Sequence, residues 1–416
     1  MIAHYLLLAS KVLLRRKFFT FISLFAISFT LLVLTVVVAL FDHAFGPGAE
    51  EPRQARTLYS ERAVMYGPHN TWSSRGGFRL YDQYARGLPG VERLSLYDTN
   101  RTVHSYPDGK KISSALKRTD DEYWRILDFT FLEGGPYGTA DVADARFVAV
   151  INETTRERFF GGGPAVGRVL EADGQRFHVL GVVADVSELR SAPHADIWVP
   201  YTTSKTDAYK RELMGSWNAM ALATDRASMA LVREEFASRL QRVELPDPKA
   251  FTAIVAPFET KLEGFARMMP VADRKDPGSQ LWRLVALLSV LAGLFVLIPT
   301  VNLVNINISR IMERASEIGV RKAFGAPART LVGQFLVENV LLTVIGGMLA
   351  YLLSLAVLRG IARSGLFSYA EFSVNPRVFA YGMALAIVFG VISGVYPAWR
   401  MSRLNPVDAL KGAASR

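Results

Sequence analysis

From Phe18 to Phe41 the chain runs for 24 residues without a formal charge, and no other stretch restricts the fold as severely. At about 1.5 Å per residue, a helix of that length reaches across the hydrocarbon core of a bilayer. Lys11, Arg15, Arg16 and Lys17 precede it, which assigns residues 1–17 to the cytoplasm by the positive-inside rule. A cleaved signal peptide carries a shorter apolar region, about 7–15 residues ending at small side chains, so residues 18–41 read as a retained first transmembrane helix.

Comparable runs return only in the C-terminal part, at about 281–308, 331–358 and 378–399. Pro299 predicts a kink in the first of these, and Asn302, Asn305 and Asn307 near its end are suited to bonding across helices. Glu338 lies early in the next, where a carboxylate is either a buried functional partner or, as expected here, sits in an interfacial elbow ahead of the true span. Small residues that let helices approach closely are expected at Gly346 and Gly347 and at the G-x-x-x-G of Gly390 and Gly394. Four spans return the C-terminus to the cytoplasm, in agreement with Arg400, Arg403, Lys411 and Arg416; Arg359, Arg363 and Arg377 in the outer loop run against the charge rule.

Half of the residues are hydrophobic, yet the net charge is +10. Residues 42–280 hold 31 Lys and Arg against 33 Asp and Glu, a balance of −2, so the remainder of the chain carries +12. A positive charge confined to the flanks of apolar runs suits membrane topology and anionic lipid better than nucleic acid. The predicted fold class is an α-helical membrane protein with four transmembrane helices and an α+β extracytoplasmic domain at 42–280. In that domain, strand Thr57–Tyr66, a helix near Arg79–Gly87 and strand Val91–Thr99 are echoed by strand Trp217–Thr224, a helix near Arg226–Gln241 and a strand near Ala250–Pro257. Two βαβ-like halves are expected to flank a β-rich insertion at about 105–205.

Catalytic chemistry finds little foothold. No cysteine is present, which removes disulfides, thiolate nucleophiles and Cys-based zinc sites. Gly109-Lys110 is followed by Lys111 rather than Ser or Thr, so no phosphate-cradling loop closes there. The six histidines contain no i, i+4 pair for a helical metal site. Asp120-Asp121-Glu122 reads as a solvated helix N-terminus and Gly161-Gly162-Gly163 as a tight turn. Catalytic, cofactor and metal residues are expected to be none.

The segment Ser309–Leu331 joins two apolar runs and carries five Arg and Lys against Glu313 and Glu317. Its i, i+4 pattern predicts a short cytoplasmic helix stopped by Gly325 and Pro327; an ordinary basic loop is the plain alternative. The run Glu317-Ile318-Gly319-Val320-Arg321-Lys322-Ala323-Phe324-Gly325-Ala326, followed by Gln334-Phe335-Leu336-Val337-Glu338, resembles the cytoplasmic loop of MacB/FtsX-type ABC transporter permeases. So do Tyr396-Pro397-Ala398-Trp399-Arg400 and Leu404-Asn405-Pro406-Val407-Asp408-Ala409-Leu410-Lys411 near the end. Phe159-Phe160-Gly161 through Gly167, Gly181-Val182-Val183 and Ile197-Trp198-Val199-Pro200 resemble the periplasmic core domain of the same family.

By that resemblance, residues 42–280 are a MacB-like periplasmic core domain and residues 281–416 an FtsX-like permease domain, with 309–330 as the coupling loop. The resemblance implies that Glu317, Ile318, Gly319, Val320, Arg321, Lys322, Ala323, Gly325 and Ala326 dock on a separate cytoplasmic ABC ATP-binding subunit, which binds the ATP in place of any cofactor here. It further implies a second permease copy or paralogue, a periplasmic adaptor protein, contact with membrane lipid, and placement in the bacterial inner membrane with both termini cytoplasmic. Efflux or extrusion from the periplasm or outer leaflet is the expected activity. A lipoprotein-releasing permease and an FtsX-like regulator of a cell-wall enzyme are the alternatives, and the 239 residues from Asp42 to Gln280 are large for the regulator.

Overall fold

The computed structural model describes residues 13–15, 17–269, 279–313, 328–370, 372 and 374–402. It forms two compact units, one of residues 43–283 with 367–370, the other of the remaining described residues.

The helices are α1 (Lys17–Phe45), α2 (Phe78–Tyr84), α3 (Glu122–Ile126), α4 (Thr139–Ala143), α5 (Glu153–Phe160), α6 (Ser228–Leu240), α7 (Lys261–Met268), α8 (Ser279–Glu313), α9 (Ala328–Arg363) and α10 (Pro376–Ser402). The strands are β1 (Thr57–Ser60), β2 (Ala63–Tyr66), β3 (Thr71–Gly76), β4 (Val91–Asp98), β5 (Arg101–Ser105), β6 (Ile112–Thr119) and β7 (Phe131–Gly134). They continue with β8 (Val148–Asn152), β9 (Val169–Ala172), β10 (Gln175–Val183), β11 (Ile197–Pro200), β12 (Met214–Gly215), β13 (Trp217–Ala223) and β14 (Ala253–Val255).

In the helical unit, α1 satisfies its polar side chains internally. Ser23, Ser28 and Thr30 donate to the carbonyls of Phe19, Phe25 and Ala26, the arrangement an apolar surrounding demands. Phe18, Phe21, Phe25 and Phe29 form an exposed stripe, while Ile27, Leu31 and Ala39 are buried. An exposed aromatic stripe on an apolar helix suits contact with lipid. Among the described residues, two helical segments, Lys17–Phe45 and Leu336–Arg363, are long and apolar enough to cross a membrane; Leu281–Phe295 and Pro376–Ile392 are shorter apolar stretches. Helix α9 runs unbroken through Glu338, against the expected elbow. The carboxylate is buried instead and accepts a hydrogen bond from Gln334 one turn earlier, at 3.2 Å.

The other unit departs from two adjacent βαβ halves. Strand β13 pairs antiparallel with both β1 and β4, and Tyr59 of β1 bridges Glu259 beyond β14. The first half therefore contributes parallel β1 and β4 on either side of β13, and the second half places β13 and the Glu259 bridge on either side of β1, the interleaved split-βαβ arrangement. Thr57–Tyr66 is broken at Glu61-Arg62, so that β1 joins β13 while β2 pairs with β3 and β14. Both faces of this sheet are covered, and β13 is buried along its whole length. Trp217, Ala219 and Ala221 face a core shared with α2 and α6, whereas Met220 and Leu222 face a second core containing Tyr97, Tyr123 and Trp198. A strand buried on both faces reads as a continuous apolar run.

The middle segment is mixed α/β rather than only β-rich, with α3, α4 and α5 among its strands. Tyr97 pairs with Thr119, which continues the sheet from β4 to β6 and on through β11, β8 and β10 to β7. The β6–β11 and β8–β10 pairs are parallel. Gly161 ends α5 at φ +63° and Gly162 follows at φ +77°, the turn expected of the triple glycine.

Candidate transmission site

The residues just after α1 and helix α7 meet at one buried carboxylate. The Glu51 side chain is 1 % exposed and accepts from the Tyr59 hydroxyl at 2.9 Å, from Arg190 Nη1 at 3.2 Å and from Lys261 Nζ. Arg190 also donates to the Gly46 carbonyl at 3.3 Å, and Gln54 Nε2 to the Phe45 carbonyl at 2.8 Å. Phe45 packs on Phe265 of α7 at 4.8 Å between ring centroids. Thr260 and Glu263 form a reciprocal capping box that fixes the start of α7, and Arg267 on its last turn pairs with Glu259. Burial, and then the Glu51 carboxylate, push the Tyr59 phenol well above the usual tyrosine range. A buried carboxylate shared by two cations is costly to disrupt, because removing it strands charge in a low dielectric.

A third segment is tied in by the residues between α9 and α10. Ser368 O accepts from the Glu188 amide at 3.0 Å, Ser368 N donates to Glu188 Oε2 at 3.3 Å, and the Tyr369 hydroxyl donates to Asp196 Oδ1 at 2.9 Å. Asp196 is itself held by the Ala115 amide at 2.7 Å and Asn152 Nδ2 at 3.1 Å. Tyr369 has φ +57°, a left-handed conformation that a bulky side chain adopts only when its surroundings impose it. Burial, then Asp196, raise its phenol to about 12.

Between these ties lies a buried polar core. Lys117 Nζ donates to the carbonyls of Ser191, at 2.8 Å, and Ala192, at 2.5 Å, and burial pushes its pKa down to about 7. Asp120 accepts from Ser95 Oγ and from the amides of Leu96 and Tyr123. Burial outweighs those hydrogen bonds and raises it to about 7. The acidic triplet does begin α3, but Asp120 is buried rather than solvated as the sequence suggested. Asp98 is raised to about 6 for the same reason, against the opposing Arg118 amide bond.

The coupling residues Glu317, Ile318, Gly319, Val320, Arg321, Lys322, Ala323, Gly325 and Ala326 lie outside the described residues. Gly346 faces Ile27 of α1, where an added Cβ would come within 2.8 Å, and an added Cβ on Gly390 of α10 would come within 2.7 Å of Thr343 Oγ1. An added Cβ on Gly347 would meet the flexible end of Met383. Gly394 falls within α10. Sequence reasoning missed Glu51, Arg190, Lys261 and Tyr369. Their partners stand 139, 210 and 173 residues away, and the unusual placement of Glu50-Glu51 directly after an apolar helix was the only local signal.

Residues 20–239 match the family description "MacB-like periplasmic core domain", and residues 289–406 match "FtsX-like permease C-terminal". Among curated relatives, the macrolide export ATP-binding/permease protein MacB of Wolinella succinogenes is 25% identical over 391 residues, covering 91% of this chain and 56% of the relative. MacB of Chromobacterium violaceum is 27% identical over 289 residues, covering 70% and 42%. The chain thus spans about half the length of the curated relatives it matches. A solved periplasmic region of MacB from Actinobacillus actinomycetemcomitans aligns with 47% of this chain and 85% of that one, at 14% identity and a TM-score of 0.35. The two family matches follow one another in order and the first alone spans more than half of the chain: the protein belongs to the MacB/FtsX-type family of ABC transporter permeases.

Proposed function

We propose that this chain is the membrane subunit of an ABC transporter that converts ATP hydrolysis on a separate cytoplasmic subunit into motion of its outer domain. In this reading the chain crosses the inner membrane four times, at about 18–41, 281–308, 331–358 and 378–399. Both termini and the loop at 309–330 are cytoplasmic, and residues 42–280 lie outside. The observation that carries the proposal is the set of ties at Glu51 and Tyr369, which fastens the residues after α1, helix α7 and the residues between α9 and α10 to the sheet of the outer domain. Displacing a helix then displaces the sheet, because packed cores move as bodies rather than deform. The work so transmitted serves efflux or extrusion of a substrate from the periplasm or outer leaflet, in a dimer of permeases and with a periplasmic adaptor.

Glu317 to Ala326 supply the docking helix for the ATP-binding subunit. Reversing Glu317→Arg together with Arg321→Glu keeps their own i, i+4 pair and the loop's net charge while inverting the face offered to the partner. The double variant is expected to insert normally and to lose co-purification with the ATP-binding subunit and stimulation of ATP turnover. Retention of both would refute the docking role.

A further inference from the structure

A cavity of about 210 Å³ opens in the outer domain beside Ala44 and Phe45, the last residues of α1, and those that end α7. One wall is apolar, built from Phe45, Leu189, Phe265 and Met268, the last 74 % exposed. The lining also carries Arg62 and Arg75. Arg62 immediately precedes β2 and Arg75 lies on β3, the strand paired with it, and both line the same cavity. Like charges that share one cavity repel unless something neutralises them.

Neither arginine is in an ion pair among the described residues. Arg62 Nε donates to Ser73 Oγ at 3.1 Å, and Arg75 Nη1 donates to Asn218 Oδ1 at 2.9 Å and to the Glu61 carbonyl at 3.3 Å. The other charges near the cavity are more nearly spent: Arg267 pairs with Glu259, and Arg190 and Lys261 share Glu51. With Glu61, whose carboxylate accepts from the Tyr97 hydroxyl at 3.2 Å, three carboxylates face five cations. Two positive charges remain over, next to an apolar wall that includes Phe45, the last residue of α1.

We propose that this cavity binds a phospholipid with an anionic headgroup, the phosphate held between Arg62 and Arg75 and the acyl chains laid along Phe45, Phe265 and Met268. Guanidinium is the side chain best matched to a phosphate, which it can engage through two parallel N–H donors. The apolar wall requires a tail, which a free phosphate lacks. The lipid would sit against both the exit from α1 and the last turn of α7, the two segments joined through Glu51. The inference uses the membrane placement of α1 but not the identity of any transported substrate or the action of an ATP-binding subunit.

The test uses the full chain in detergent with Phe265→Trp as reporter, the unsubstituted protein supplying the background from its native tryptophans. Brominated phosphatidylglycerol is expected to quench the added emission, and phosphatidylcholine with the same brominated chains to require at least tenfold higher concentration. Adding Arg62→Gln and Arg75→Gln should weaken the phosphatidylglycerol response at least tenfold, and Arg62→Lys with Arg75→Lys should restore most of it. The reporter protein with intact arginines reads the site whether or not the glutamine variant folds. An unquenched reporter, equal response to the two lipids, or indifference to the glutamine pair would each overturn the proposal. Displacement of the lipid by equimolar inorganic phosphate would overturn it too, by assigning the site to a soluble anion.

Discussion

Glu51→Ala should be among the most damaging single substitutions in the outer domain. The carboxylate is 1 % exposed, and its cationic partners Arg190 and Lys261 are 8 % and 10 % exposed. At an effective dielectric of about 20, a charge pair separated by 3.2 Å attracts by about 5 kcal/mol before desolvation is subtracted. Truncating one member of a buried pair costs about 3–5 kcal/mol, mostly because the partner stays buried and unpaired. Here two cations are stranded together, and the Tyr59 hydroxyl loses its acceptor as well. For a unit of this size each kcal/mol moves the midpoint by about 2–4 °C, so a fall of about 6–20 °C is expected. Thermal unfolding of the full chain in detergent, followed by tryptophan fluorescence, reads it, since Trp124, Trp198 and Trp217 lie in the cores of this unit or packed against them. Glu51→Gln, which keeps an acceptor but not the charge, should fall in between. Replacing Glu51, Arg190 and Lys261 together by Met should recover most of the loss, because no charge is then left buried. A midpoint for Glu51→Ala within about 3 °C of the original, or a triple variant no better than the single one, would refute the reasoning.

Lys117 has a folded pKa of about 7 against an ordinary 10.5, so the unfolded chain holds more protons between those values and stability should rise with pH from about 7 to 9.5. Its share is up to about 1.4 kcal/mol per pH unit, and Lys117→Met should abolish that rise in denaturant titrations at several pH values. Asp120 and Asp98, both raised by burial, act in the opposite sense, and their contribution should fall as pH goes from about 4 to 7. Tyr369→Phe removes only the hydroxyl bonded to Asp196 and should cost about 0.5–1.5 kcal/mol while raising amide exchange at Ser368 and Glu188; unchanged exchange would mean that the tie holds nothing. In the helical unit, Gly346→Val should lower the thermal midpoint more than Gly347→Ala, since stiff, β-branched Ile27 blocks the first and the mobile end of Met383 can yield to the second. The reverse order would sink that packing account.

What the sequence determined by itself was periodic or cumulative. A charge-free run such as Phe18–Phe41 can only be a helix where no water satisfies the backbone, and α1 covers it. Strands and helices of the outer domain were legible for a similar reason, because apolar runs and helical periodicity act over a few residues: Trp217–Ala223 and Ser228–Leu240 lie where the pattern put them. The family resemblance was legible in short motifs near the C-terminus, and the matched family regions span most of the chain. Tertiary structure alone decided how the halves combine. Nothing local in Thr57–Tyr66 says that its first part joins β13 and its second part β3, since pairing partners are chosen by the burial of both faces at once. The same holds for the ties at Glu51 and Tyr369 and for the burial of Asp120. A carboxylate's solvation depends on which distant segments close over it, and a sequence window shows the acid without showing the lid.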